Sequence, residues 1–224
     1  MKANHGSADQ ERAVVIGSGW LNLQGDLSIP AGASGVVLFA HGSGSSRFSP
    51  RNRLVAKRLR EAGVATLLMD LLTPEEERED AAGAKLRFNI PLLTERVALA
   101  TIWLRGEPQT AKLRLGYFGA STGAAAALMA AAQRPDEVSA VVSRGGRPDL
   151  AGPSLSSVRA PTLLIVGGED YVVMDLNREA MKPMSCPCEL VIVPGATHLF
   201  EEPGTLEQVA DHAAKWFVKH LGGA

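Results

Sequence analysis

One stretch constrains this chain more than any other: Leu113-Arg114-Leu115-Gly116-Tyr117-Phe118-Gly119-Ala120-Ser121-Thr122-Gly123, followed by an alanine-rich run to Ala132. A short apolar run, then Gly-x-Ser-x-Gly, then strong helix formers reads as strand, sharp turn and helix. A serine on such a turn is pushed out above the sheet edge with its hydroxyl exposed. The cramped backbone leaves room only for glycine two positions to either side. The motif by itself also occurs in glycine-rich loops, where the serine is merely solvated. The strand before it and the helix after it are the context that a catalytic serine requires.

A single buried strand needs neighbours, and the sequence supplies them. Gly35–Ala40, Val64–Asp70, Val138–Val142, Ala160–Val166 and Glu189–Val193 are apolar runs of the kind found in strands covered on both faces. Helical patterns alternate with them at about 50–62, from residue 74, at 91–104, at 173–181 and from residue 205. The last opens on Thr205-Leu206-Glu207-Gln208, which has the form of a capping box. Ala13–Ile16 and Gly19–Leu27 read as short strands forming an antiparallel edge. The alternation predicts an α/β fold, with a mostly parallel central sheet, helices on both faces and an antiparallel N-terminal edge. Residues 1–11 read as a flexible tail and residues 12–224 as one domain. No long insertion follows the Val138–Val142 strand, so no large cap domain is expected. The charged run at 74–87 reads as a solvated helical face, the alternative being a cover over an active site.

Charge and apolar patterning narrow the partners. The net charge is −1, which points to neither nucleic acid nor an anionic membrane surface. The chain start lacks the apolar core of a signal peptide, and no run approaches the ~20 apolar residues of a membrane span. The expectation is a soluble, cytoplasmic protein acting on a small molecule; oligomeric state is not readable. Cys186 and Cys188 are too close for an ordinary disulfide and have no second Cys or His pair to complete a zinc site.

In open α/β sheets the working groups gather beyond the carboxyl ends of the strands. Ser121, Asp170 and His198 each follow a predicted strand, in the chain order nucleophile, acid, base. A serine hydroxyl needs a base to take its proton, and His198 lies where that base belongs. Asp170 would orient the imidazole and stabilise its charged form; Glu169 and Asp175 are alternative acids. His41 is a rival histidine, expected to brace its loop. His5 falls in the tail, and His212 and His220 read as surface positions. Negative charge developing on a substrate oxygen needs preorganised donors. The candidates are the backbone N–H of Thr122 and that of Ser43 in the loop His41–Ser46, with Gly44 next. Arg144 and Arg147 follow a strand end and are candidate contacts for an anionic substrate group. Arg47, Arg51 and Arg53 follow the His41–Ser46 loop. The competing reading is surface arginines paired with solvent or Asp149.

These residues carry a resemblance. Phe39-Ala40-His41-Gly42-Ser43-Gly44-Ser45, Gly119-Ala120-Ser121-Thr122-Gly123, Gly167-Gly168-Glu169-Asp170 and Gly195-Ala196-Thr197-His198 resemble the α/β-hydrolase superfamily, and within it the dienelactone-hydrolase-like group. The match runs from about residue 20 to the C-terminus. The resemblance implies a two-step esterase reaction through an acyl-enzyme, with no metal or organic cofactor. Dienelactone hydrolases carry cysteine at the elbow and this chain carries Ser121, so a general serine carboxylesterase is the expectation. Lactone hydrolysis, acyl transfer to an alcohol or amine, and a non-catalytic small-molecule binder are the alternatives. With no cap, an open site favouring short acyl chains is expected.

Overall fold

In the computed structural model, eight strands form one sheet in the order β1-β2-β4-β3-β5-β6-β7-β8. The structure describes residues 10–19, 21–83 and 85–222. The strands are β1 Gln10–Ser18, β2 Leu21–Ile29, β3 Gly35–Ala40, β4 Ala65–Met69, β5 Arg114–Ala120, β6 Val138–Arg144, β7 Thr162–Gly167 and β8 Cys188–Val193. β2 runs antiparallel to both β1 and β4, while β4, β3, β5, β6, β7 and β8 are parallel. The expected antiparallel edge is therefore present. Of the predicted tail, Gln10 and Glu11 already belong to β1; residues 1–9 lie outside the described residues, as does His5.

The helices are α1 Pro50–Glu61, α2 Pro74–Gly83, α3 Ile90–Gly106, α4 Thr122–Gln133, α5 Tyr171–Met181 and α6 Thr205–Leu221. Alternate strand residues face opposite sides, so the sheet divides two cores. Val37, Phe39, Phe118, Val142 and Ile165 pack against α1 and α6. Val36, Leu38, Leu115, Tyr117 and Val141 pack against α3 and α4. On that side the buried Tyr117 hydroxyl shares a 2.6 Å hydrogen bond with Thr101 of α3. The alanine face of α4 is buried along nearly its whole length, as short side chains allow. No large cap follows β6; a short 3-10 segment, Pro148–Ser157, packs there against α4 and α5.

One local expectation changes. Thr205 does not cap α6: Gly204, in a left-handed conformation, is the N-cap, and the Thr205 hydroxyl donates back to the Glu202 carbonyl at 2.7 Å. The reciprocal capping box is instead at α2, where Thr73 N–H donates to Glu76 Oε2 (2.8 Å) and Glu76 N–H to Thr73 Oγ1 (3.2 Å). The 74–87 run is largely solvent-facing, as expected, with Asp80 the exception. Asp80 is buried and accepts from the Leu86 and Arg87 backbone amides and from the Arg87 guanidinium. Burial raises the Asp80 pKa, but these donors outweigh it and hold the carboxyl below its ordinary value. Among its described residues, none of 74–87 lines the cleft that holds Ser121; Glu77 and Arg87 line a neighbouring groove.

Candidate active site

The turn at Ser121 has the geometry its spacing demands. Ser121 has φ 49° and ψ −122°, a conformation that costs a non-glycine residue about 1–3 kcal/mol. Its neighbours hold it there. Ser121 N–H donates to the Arg144 carbonyl (3.3 Å), and its carbonyl accepts from Arg147 N–H and Ala124 N–H (both 3.1 Å). A Cβ at Gly119 would sit 2.4 Å from Ala124 Cα, and one at Gly123 would sit 2.3 Å from the Ala40 carbonyl oxygen. The two motif glycines are thus the residues that let α4 leave β5 so sharply and pass so close to β3.

Register brings the other loops to the same sheet edge. Ala40 pairs with Gly119 and Ala120 with Arg144, so the loops after β3, β5 and β6 start level. β7 and β8 end together at Gly167 and Val193. Their loops are tied by Gly168 N–H to the Val193 carbonyl (2.8 Å) and Glu169 N–H to the Ala196 carbonyl (2.9 Å). Asp170 is the N-cap residue of α5, yet its carboxylate makes no cap bond. It meets His198 instead, Nδ1 to Oδ2 at 2.6 Å. With Asp170 on Nδ1, the neutral ring carries its proton there and leaves Nε2 as an acceptor. The His198 loop is pinned by Glu202, which accepts from Thr197 N–H (3.1 Å) and Thr197 Oγ1 (2.6 Å). Gly145, at φ 49°, lets the His198 backbone lie close: a Cβ there would be 3.0 Å from the His198 carbonyl oxygen. The alternative acids are committed elsewhere. Glu169 accepts from the Tyr171 hydroxyl (2.5 Å) and Asp175 pairs with Arg178 (3.0 Å).

Ser121 and His198 line one cleft of about 200 Å³, with Gly42, Ser43, Ser45, Arg51, Arg144 and Leu199. His41 is not in it. Its buried Nε2 accepts from Leu71 N–H (3.1 Å) and Nδ1 lies 2.9 Å from the Gly42 carbonyl, so the ring bolts the loop after β3 to the end of β4. Burial lowers its pKa, which keeps it neutral. Half-buried His212 and His220 lie on α6, the latter 4.5 Å from Trp216. Ser43 and Thr122 lie side by side. Ser43 N–H donates to the Thr122 hydroxyl at 3.1 Å, a contact with no signal in the sequence. Thr122 N–H, in the first turn of α4, has no intrahelical acceptor.

The two candidate arginines part company. Arg147 is engaged with Asp149 through two hydrogen bonds of 2.9 and 2.7 Å and does not line the cleft, as the competing reading held. Arg144 lines the cleft, is 7% exposed, and its side chain makes no hydrogen bond or ion pair among the described residues. Cys186 and Cys188 are free, half-buried thiols; burial foremost pushes the latter up to about 12. No group of His, Cys, Asp and Glu among the described residues is arranged to hold a metal ion, and no described helix is long and apolar enough to cross a membrane.

Comparison with known proteins agrees with this architecture. A crystal structure described as dienelactone hydrolase from Anabaena variabilis superposes with a TM-score of 0.94 at 57% identity, over 96% of this chain and 99% of that one. Est1E from Butyrivibrio proteoclasticus shares the fold at 16% identity, with a TM-score of 0.79 over 93% and 98%. A Mycobacterium tuberculosis protein named "Putative phosphoribosyl transferase" is 60% identical over 215 residues, which is 96% of this chain. The chain spans about half (47%) the length of that curated relative. The profile of the Dienelactone hydrolase family matches residues 23–220, and the chain belongs to that family, with the α/β-hydrolase fold.

Proposed function

We propose that the protein is a serine hydrolase of small carboxylic esters, working through an acyl-enzyme with Ser121, His198 and Asp170 as its triad. The observation that carries this reading is the 2.6 Å His198–Asp170 contact in a cleft shared with a strained, protruding Ser121. His198 Nε2 takes the Ser121 proton as Oγ attacks the ester carbonyl, then gives it to the departing alcohol. Asp170 keeps Nδ1 protonated and stabilises the imidazolium. Thr122 N–H and Ser43 N–H receive the developing oxyanion, the second by turning from the Thr122 hydroxyl. Water then repeats the sequence to free the acid. None of these steps draws on a metal or organic cofactor.

The name of the longer mycobacterial relative suggests transfer chemistry. A strained serine sharing one cleft with an acid-backed histidine favours hydrolysis as the activity of this domain. Hydrolysis of p-nitrophenyl acetate and butyrate by folded wild type and Ser121→Ala tests the proposal. Removing the nucleophile should lower turnover roughly 10⁴-fold or more. Equal rates in the two proteins would overturn the assignment.

A further inference from the structure

A second depression adjoins the catalytic cleft. It is a groove of about 760 Å³, against about 200 Å³ for the cleft, and Ser43, Ser45 and Arg51 line both. None of the chemistry proposed above uses it. Its cations are already matched. Arg47 is fixed to Asp70 through its guanidinium and through its backbone N–H, the latter at 2.8 Å. The Arg87 guanidinium holds the buried Asp80, and Arg51 meets Glu201 at 3.3 Å. What is left unmatched is neutral or negative. The half-buried side chains of Glu77, Gln24 and Ser45 line the groove and make no hydrogen bond or ion pair among the described residues. Phe48, 56% exposed, adds an apolar surface, with the Arg47 guanidinium 4.1 Å from its ring centroid.

This lining discriminates between kinds of ligand. An anion meets the free Glu77 carboxylate and finds each arginine of the groove already paired. A hydrocarbon strips water from Glu77 and Gln24 and returns no partner, so their desolvation is uncompensated. A ligand with several hydroxyls meets both demands. Its O–H groups donate to Glu77 and to the Gln24 carbonyl, its oxygens accept from the Gln24 amide and the Ser45 hydroxyl, and its C–H face rests on Phe48. We infer that the groove holds the alcohol part of the substrate, and that this alcohol is a neutral polyol whose short acyl group lies in the cleft. The acyl C–O bond breaks, the polyol oxygen leaves with the proton carried by His198, and water supplies the new oxygen of the acid. The choice of an ester rests on the proposed hydrolase function; the polyol site itself does not.

The test compares methyl 6-O-acetyl-β-glucoside, 1-monoacetylglycerol and cyclohexylmethyl acetate, followed by acid release at constant pH, with wild type, Glu77→Ala and Gln24→Ala. All three proteins are first shown by thermal melting to be folded. In wild type, kcat/KM for the better polyol ester should exceed that for cyclohexylmethyl acetate by roughly 10- to 100-fold. That ratio falls about 10-fold in Glu77→Ala and several-fold in Gln24→Ala, while p-nitrophenyl acetate is cleaved at the wild-type rate. The better polyol ester tells a sugar ring from an open chain. A fall in either variant upholds the site, and if one variant does not fold the other decides. A ratio near one in wild type, or a ratio unchanged in the variants, with p-nitrophenyl acetate still cleaved, overturns the polyol site and spares the esterase. If no ester is cleaved, saturation-transfer NMR with methyl β-glucoside and with glycerol decides alone. Binding by wild type that is lost in Glu77→Ala upholds the site; binding that is absent in wild type, or unchanged in Glu77→Ala, overturns it.

Discussion

Ser121 sits in a conformation that its own side chain disfavours, and the residues around it are chosen for how little space they take. Gly123 is one of them. Gly123→Ala would place a methyl 2.3 Å from the Ala40 carbonyl oxygen and 2.4 Å from that of His41, against backbone that cannot step aside. The expected cost is about 1–3 kcal/mol from the clash, read from urea denaturation, with loss of esterase activity as the elbow relaxes. An Ala variant as stable and active as wild type would contradict the close approach of α4 to β3. This part of the site is legible in the sequence because its cause is local: three residues of spacing report one turn. Arg144 is the opposite case. That it follows a strand is readable, but that no acid reaches it depends on every side chain packed around the cleft. The same holds for Arg147, whose partner Asp149 lies only two residues on and is plain once β6 is seen to end at Arg144.

At the scale of elements, the site depends on loops fastened to each other rather than to solvent. His41 joins the β3 loop to the residues after β4, and it does so as a neutral ring. The unfolded chain takes up a proton on this histidine near its ordinary value of 6.5, while burial outweighs the raising influence of the Gly42 carbonyl, Asp70 and Glu77 in the folded protein. The unfolded state therefore binds more protons below that pH. The contribution of His41 is complete above about 6.5 and is lost progressively as pH falls toward its lower folded value. The melting temperature of wild type should fall between pH 6.5 and 5, and His41→Gln should flatten that slope; identical slopes would contradict a neutral, buried His41. Elsewhere, local pattern competes with context. Thr73 and Thr205 both open a Thr-x-x-Glu/Gln sequence, yet only the first caps its helix, because Gly204 in a left-handed turn takes the N-cap position of α6. Thr73→Ala should cost about 1 kcal/mol of stability in chemical denaturation. The short 3-10 segment at Pro148–Ser157 left no periodicity to read, interrupted as it is by Gly152 at φ 51°.

For the molecule as a whole, continuous apolar runs revealed the parallel strands, since strands buried on both faces need no polar alternation. The order of those strands, with β3 between β4 and β5, is a product of long-range pairing and comes only from the structure. That order sets the Ser121 turn beside the loop after β3, and among the described residues no large cap follows β6. A cleft of about 200 Å³ with polar walls has room for short acyl groups. Turnover should therefore drop from p-nitrophenyl acetate and butyrate to the decanoate, measured below the critical micelle concentration; faster cleavage of the long chain would contradict an open, uncapped site. The proposed mechanism requires that Ser121 be acylated during turnover. Wild type, acid-quenched in the first turnovers of saturating p-nitrophenyl acetate and digested for mass spectrometry, tests it most directly, because the activated ester acylates the serine faster than water frees it. An acetyl group on the peptide containing Ser121, absent in Ser121→Ala, is the predicted result; an acetyl group on another residue, or steady turnover by wild type with no adduct trapped, would contradict it.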